Sequence, residues 1–143
     1  MIDLKRQEAL REAVELMYFS YRTFTDGPDK ILHKRGLNRA HHRILYFIGR
    51  EPDLSVARLL ELLQISKQAL NTPLRQLQAM KLVSSVHAPH DKRIRQLRLT
   101  TTGRKLEQRL TGTQLNQLED IFTAAGVDAE AGWRTVMSIF SEN

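Results

Sequence analysis

A chain of 143 residues, 41% of them hydrophobic, is long enough to bury one core and too apolar to stay disordered. With no cysteine it has no disulfide framework, thiolate metal site or thiol redox switch. Residues 34–105 hold 15 Lys+Arg against 4 Asp+Glu, and the remainder holds 7 against 12, so a basic middle lies between acidic ends, the pattern of a nucleic-acid-binding module on a separate scaffold.

In chain order, Asp3 can cap a first helix running to about Thr25, where Asp26-Gly-Pro-Asp29 is expected to end it. Leu10, Ala13, Val14, Met17, Tyr21 and Phe24 recur at helical spacing. Leu16, Tyr18 and Phe19 widen the apolar surface beyond one stripe, so this helix needs cover on more than one side, a partner subunit included. After a loop, Asn38 can cap a second helix with Ala40, Ile44, Phe47 and Ile48 inward, stopped by Gly49 and Pro52.

Ser55 can cap a short helix from Val56 to about Leu63, and Ser66 another to about Met80. In the latter, Leu70, Leu74 and Leu77 form the buried stripe, and Lys67, Gln68, Asn71, Thr72 and Arg75 share the opposite face. That face carries no acid. Two short helices, a tight turn and a polar second helix make a helix-turn-helix whose second helix can enter a major groove, although a solvated αα-hairpin would share the outline.

Leu82–Val86 and Ile94–Leu99 read as strands bent at Ala88–Lys92, with Val86, Leu97 and Leu99 inward and Arg93, Arg95 and Arg98 wet. A basic hairpin directly after a helix-turn-helix is a wing, able to reach the DNA backbone or minor groove. Thr100-Thr-Thr-Gly-Arg-Lys opens a long helix to about Ala125, and Asp128 can cap a last one carrying Trp133, Val136, Met137 and Phe140. The terminal helices, acidic outside and apolar inside, look like a dimerisation scaffold.

With these segments in place, the chain resembles the MarR family of bacterial winged helix-turn-helix regulators over essentially its whole length. The resemblance runs through Leu54-Ser-Val-Ala-Arg-Leu59, Ile65-Ser-Lys-Gln-Ala-Leu70, Leu82-Val83, and above all Asp91-Lys-Arg93 followed by Leu99-Thr-Thr-Thr-Gly103. It implies a mainly α fold with a small β-wing, as one domain over residues 1–143. Residues 38–100 would form the winged helix-turn-helix, and 3–25 and 101–141 the helical dimerisation part. It also implies a homodimer on palindromic double-stranded DNA, usually a repressor, relieved by a small organic effector lodged between the two parts.

Carried over by position, Ser66, Lys67, Gln68, Asn71, Thr72 and Arg75 fall on the DNA side of the recognition helix. Asp91, Lys92, Arg93 and Arg95 fall on the wing, where the acid is expected to orient Arg93. Several residues depart from the family pattern. Leu60 replaces a small residue, Gln64 a glycine at the turn, Lys81 a glycine that ends the recognition helix, and Ser85 an arginine. Pro73 stands inside the recognition helix, where a proline costs about 3 kcal/mol; it can mark a plain kink, with Thr72 as a second cap, or a bend that follows the groove.

His41 and His42 are adjacent, so they point about 100° apart on a helix and are expected to make ordinary polar contacts rather than share a metal. Tyr18, Tyr21, His42 and Tyr46 are candidates to line an effector pocket, although aromatic residues at helical spacing more often belong to a core. No cofactor is implied, and the sequence has no phosphate loop, metal-spaced carboxylate pair or nucleophile elbow, so a regulator is expected rather than an enzyme. A winged-helix module binding an acidic protein or RNA remains the alternative, and a histidine-based metal hydrolase a distant third. The longest apolar run, Ile44-Leu-Tyr-Phe-Ile48, is far short of a membrane span and the N-terminus lacks a signal peptide's apolar region, so a cytoplasmic, soluble protein is expected.

Overall fold

The computed structural model describes residues 1–142. Its elements are α1 (Leu4–Lys34), α2 (Arg39–Arg50), β1 (Leu54–Ser55), α3 (Val56–Leu63), α4 (Lys67–Ala79), β2 (Val83–Ala88), β3 (Asp91–Leu99), α5 (Thr101–Ala125) and α6 (Val127–Glu142). The fold is mainly helical with a three-stranded antiparallel wing in the order β1-β3-β2. No helix among the described residues is long and apolar enough to cross a membrane.

The first helix corrects the sequence reading. Asp3 caps it as expected, but it runs through Gly27 and Pro28 to Lys34 instead of ending near Thr25. Tertiary contacts make the passage tolerable. Pro28 has no N–H for the carbonyl of Phe24, and the side-chain amide of Gln114 on α5 donates to that oxygen instead, at 3.3 Å. Gly27 lets α5 approach: a β-carbon there would lie 3.2 Å from the Thr113 hydroxyl. The helix ends only where Gly36 takes φ +70° and the Leu37 N–H returns to the Leu32 carbonyl at 2.9 Å.

Asn38 caps α2, and α2 continues through Gly49 to Arg50. Gly49 is a contact point: a β-carbon there would meet the Leu99 side chain at 3.0 Å. Ile44 and Ile48 are buried as expected and Phe47 half-buried, but Ala40 is exposed and Leu45 is buried. Helix α2 therefore buries a broader face than one stripe, because α1, α4 and α5 all pack on it.

The wing corrects the parity of one strand. Val83 pairs with Leu99 and Ser85 with Leu97, so this set faces the core; Val86 pairs with Gln96 on the other face and is exposed. A bulge between His87 and Ala88 then shifts the register, and Ala88 is buried. Thr100 caps α5 by accepting from the Gly103 N–H at 2.9 Å and ties it to the wing by donating to the Lys81 carbonyl at 2.6 Å. Leu32, Ile44, Leu45, Leu59, Leu70, Leu77, Leu97 and Leu110 fill the core between these parts. Helix α6 packs on α5 through an edge-to-face contact of Phe122 with Trp133 at 5.2 Å and buries none of its residues.

Candidate nucleic-acid interface

Helices α3 and α4 are joined by a turn in which Gln64 takes φ 53°, the left-handed conformation that glycine would adopt at less cost. Its amide closes the turn by donating to the Glu61 carbonyl at 2.7 Å. Ser66 accepts from the Ala69 N–H at 3.0 Å, so its hydroxyl oxygen serves the cap of α4. Beyond it, Leu70, Leu74 and Leu77 are buried and Lys67, Gln68, Asn71, Thr72 and Arg75 are all exposed. Pro73 does not split the helix into two capped pieces; α4 is one element from Lys67 to Ala79. Lys81 takes φ 60° just past its end, with the Leu82 N–H closing on the Leu77 carbonyl at 2.9 Å.

The wing's arginines are individually held. Arg93 donates from Nε and Nη2 to the two oxygens of Asp91, each at 3.1 Å, and its backbone N–H adds a third bond at 2.9 Å. The Arg93 side chain and then its N–H hold the Asp91 carboxyl below the usual carboxylate range. The acid fixes the direction of a guanidinium that is itself 91% exposed. Arg95 donates to the Ser85 hydroxyl at 3.0 Å, so the residue that departs from the family pattern at position 85 anchors a basic neighbour. Arg98 pairs with Asp53, a partner unseen in the sequence reading because it arrives from the loop before β1, 45 positions away.

These pairings sort the basic residues. Arg39, Arg58, Arg98 and Arg134 each have a carboxylate partner that balances them. Among the described residues, Lys67, Arg75, Lys92 and Arg95 form no ion pair, and they lie on α4 and the wing. Lys67 and Arg75 on α4 and Lys92 and Arg95 on the wing thus keep positive charge without a carboxylate partner, as do basic residues elsewhere in the chain, and they stand on the two elements that a groove-binding protein would present.

Residues of α1, α2 and α5 line a cleft of about 300 Å³. Of the candidates from the sequence, Tyr21, His42 and Tyr46 line it, but Tyr18 does not: it is exposed on α1. Phe24, Phe47, Leu115 and Leu118 add apolar walls; Arg39, Arg43 and Thr111 were not anticipated. Arg43 donates to the Tyr21 hydroxyl at 2.6 Å, and Arg39 lies over the Tyr21 ring while forking onto Asp29. Thr111 donates to Glu107, so its oxygen accepts from His42 Nε2 at 3.1 Å, which fixes the imidazole tautomer. Burial, reinforced by the nearby Arg43 charge and opposed by Asp29, lowers the His42 pKa from 6.5. Both histidines make ordinary polar contacts, as their spacing suggested.

Comparison with known proteins decides the family. A profile described as the MarR family matches residues 35–94, which span α2 to the wing. The chain is 45% identical over 130 residues to the HTH-type transcriptional regulator PetP of Rhodobacter capsulatus, covering 91% of this chain and 78% of that protein. It belongs to the MarR family of winged helix-turn-helix, DNA-binding transcriptional regulators. This MarR-family chain also shares its fold with Streptococcus pneumoniae FabT in complex with DNA, at TM-score 0.81 and 15% identity over 95% of each chain. Sco3205 of Streptomyces coelicolor, likewise solved with DNA, superposes at TM-score 0.75 with 18% identity over 99% of this chain and 89% of the other. Membership in a family of regulators, rather than any feature of the cleft, makes this a non-enzymatic protein.

Proposed function

We propose that this MarR-family chain acts in the cytoplasm as a homodimeric repressor that reads a palindromic operator and is released by a small organic ligand. The observation that carries the DNA contact is the acid-free exposed face of α4 beside the oriented Arg93. Lys67, Gln68, Asn71, Thr72 and Arg75 would face the major groove, with Ser66 at the helix start, where N–H groups suit a phosphate. Asp91, Lys92, Arg93 and Arg95 would carry the wing to the backbone and minor groove.

The dimer reading rests on unburied apolar surface. Leu16, Met17, Tyr18 and Phe19 on α1 and Val136, Ile139 and Phe140 on α6 are exposed. A second copy related by a twofold axis is the commonest way to cover such faces, and it would present two copies of α4 to two half-sites. The cleft beside Tyr21, His42 and Tyr46 supports the ligand reading: it has apolar walls and a few convergent polar groups.

The test is selection of preferred sites from random duplex, followed by competition at fixed salt. A regulator of this kind prefers its selected site by at least about a thousandfold. Equal affinity for all duplexes would reject the operator reading and leave a basic module for RNA or an acidic protein.

A further inference from the structure

His41 is the third residue of α2, and its two ring nitrogens serve two different elements. Nδ1 accepts the N–H of Asn38 at 3.0 Å, completing the cap of α2. A nitrogen that accepts carries no proton, so the neutral ring holds its proton on Nε2. Nε2 lies 2.6 Å from Oε1 of Gln76, which can only accept. The ring is 4% exposed, and its partner Gln76 stands on α4, next to Arg75 and one turn beyond Thr72, on an exposed position. This bond therefore selects the amide orientation of Gln76: the oxygen is turned toward α2, and the Nε2 donor remains for the exposed side of α4.

We propose that His41 is a positioning residue for DNA recognition. Through Gln76 it fixes the rotation of α4 against α2 and turns the Gln76 amide nitrogen outward, adding a donor to the row formed by Gln68, Thr72 and Arg75. The inference rests on the reading that this face of α4 meets DNA. Among the described residues no other side-chain hydrogen bond ties this face of α4 to another element: Leu70, Leu74 and Leu77 hold α4 by apolar packing, which sets distance more firmly than rotation.

The bond to Gln76 can be cut alone. His41→Asn keeps an acceptor where Nδ1 lies but cannot reach Gln76; His41→Gln is the conservative variant, long enough to donate to Gln76 and, at the third position of a capping box, still carrying an acceptor for Asn38. Gln76→Met removes the acceptor at an exposed position, where folding is least at risk. The measurements are the affinity ratio for a duplex selected from a random pool over unselected duplex, its salt slope, and the thermal midpoint. His41→Asn and Gln76→Met should lower the ratio on the order of tenfold with the salt slope unchanged, since no cation is lost. His41→Gln should keep most of the ratio, as the variant that can still donate to Gln76. Retention of the full ratio in both His41→Asn and Gln76→Met, or an equal loss in His41→Gln, would overturn the positioning role. Asn71→Ala and Arg75→Ala identify a deeper failure: if neither weakens binding, α4 is not the DNA-reading helix and the role of His41 falls with it.

Discussion

Every buried hydrophobic side chain of the core lies between Leu32 and Leu110, whereas each residue up to Thr23 is exposed and α6 buries none of its residues. The two regions differ in charge as well: the middle carries the basic excess and the ends the acidic one. The middle satisfies itself, with leucines from seven elements interlocking and its wing stitched to α5 through Thr100. The ends are helical by local pattern but gain little from their own chain. One polypeptide thus separates a self-packed middle from terminal helices whose apolar residues stay exposed, so damage to either should have a distinct signature.

The joint between them is where the largest effect is expected. A β-carbon on Gly103 would lie 1.9 Å from the Leu82 carbonyl oxygen, a backbone atom that no rotamer change can move aside. Gly103→Ala should destabilise the middle of the chain by about 3 kcal/mol or more, measured by urea denaturation. A loss below about 1 kcal/mol would mean that α5 is not held against the wing in this way.

The scaffold should respond in association rather than folding. Leu16→Glu with Phe19→Glu places charge on an exposed apolar face, where each covered side chain would contribute about 1.5–3 kcal/mol to a dimer. Sedimentation at micromolar concentration should change from dimer to monomer, while the denaturation midpoint of the core moves little. A wild-type chain that is already a stable monomer would contradict the dimer reading.

Acidity tests the boundary cleft. The folded-state pKa of His42 lies below its ordinary value of 6.5, so the unfolded chain takes up the proton more readily. The contribution of neutral His42 is therefore fully present above pH 6.5 and is lost as pH falls through the lowered folded value. The slope cannot exceed about 1.4 kcal/mol per pH unit for one proton. Stability measured from pH 7.5 to 5.5 should decline, and His42→Gln should flatten that decline.

At the wing, Arg93→Ala should weaken DNA binding and reduce the slope of log affinity against log salt by about one. Simple charge repulsion predicts that Asp91→Ala tightens binding. The fork between the two residues predicts weakening, because a released arginine costs roughly 0.5–1.5 kcal/mol more to order on binding. The double variant should be clearly non-additive; simple addition would reduce the wing to a basic surface. The smallest effect is at Lys81, whose φ of 60° is strained for a residue with a β-carbon. Lys81→Gly should stabilise the middle of the chain by about 0.5 kcal/mol, the relief of strain exceeding the added freedom of the unfolded chain.

The helix-turn-helix was legible because its signals are local. Ser55, Ser66 and Thr100 each precede an apolar period, and each caps the helix it announces. The acid-free face of α4 needed only helical geometry, and the left-handed turns at Gln64 and Lys81 were visible as departures from glycine. Val86 was assigned to the wrong face because strand parity is set by pairing with β3, and the bulge between His87 and Ala88 lies within β2, where the sequence does not state the register. Gln76 was missed although it lies one turn beyond Thr72. Nothing in the sequence pairs it with a histidine 35 positions earlier.

Local chemistry, then, was enough to place the helices, the caps Asp3, Asn38, Ser55, Ser66 and Thr100, the basic hairpin and the split in charge, since those depend on residues a few positions apart; Asp128, expected to cap α6, lies instead inside its first turn, because the helix already starts at Val127. Tertiary structure alone decided that α1 passes through Pro28, because the amide of Gln114 that compensates the Phe24 carbonyl comes from α5, 90 positions beyond Phe24 in the chain. It likewise decided which arginines are neutralised, since Asp53 reaches Arg98 only once β1 has paired with β3. A hydrogen bond or ion pair between distant segments depends on where the backbone brings them, and a glycine or proline that reads as a break becomes part of a continuous helix when a neighbour supplies the missing partner.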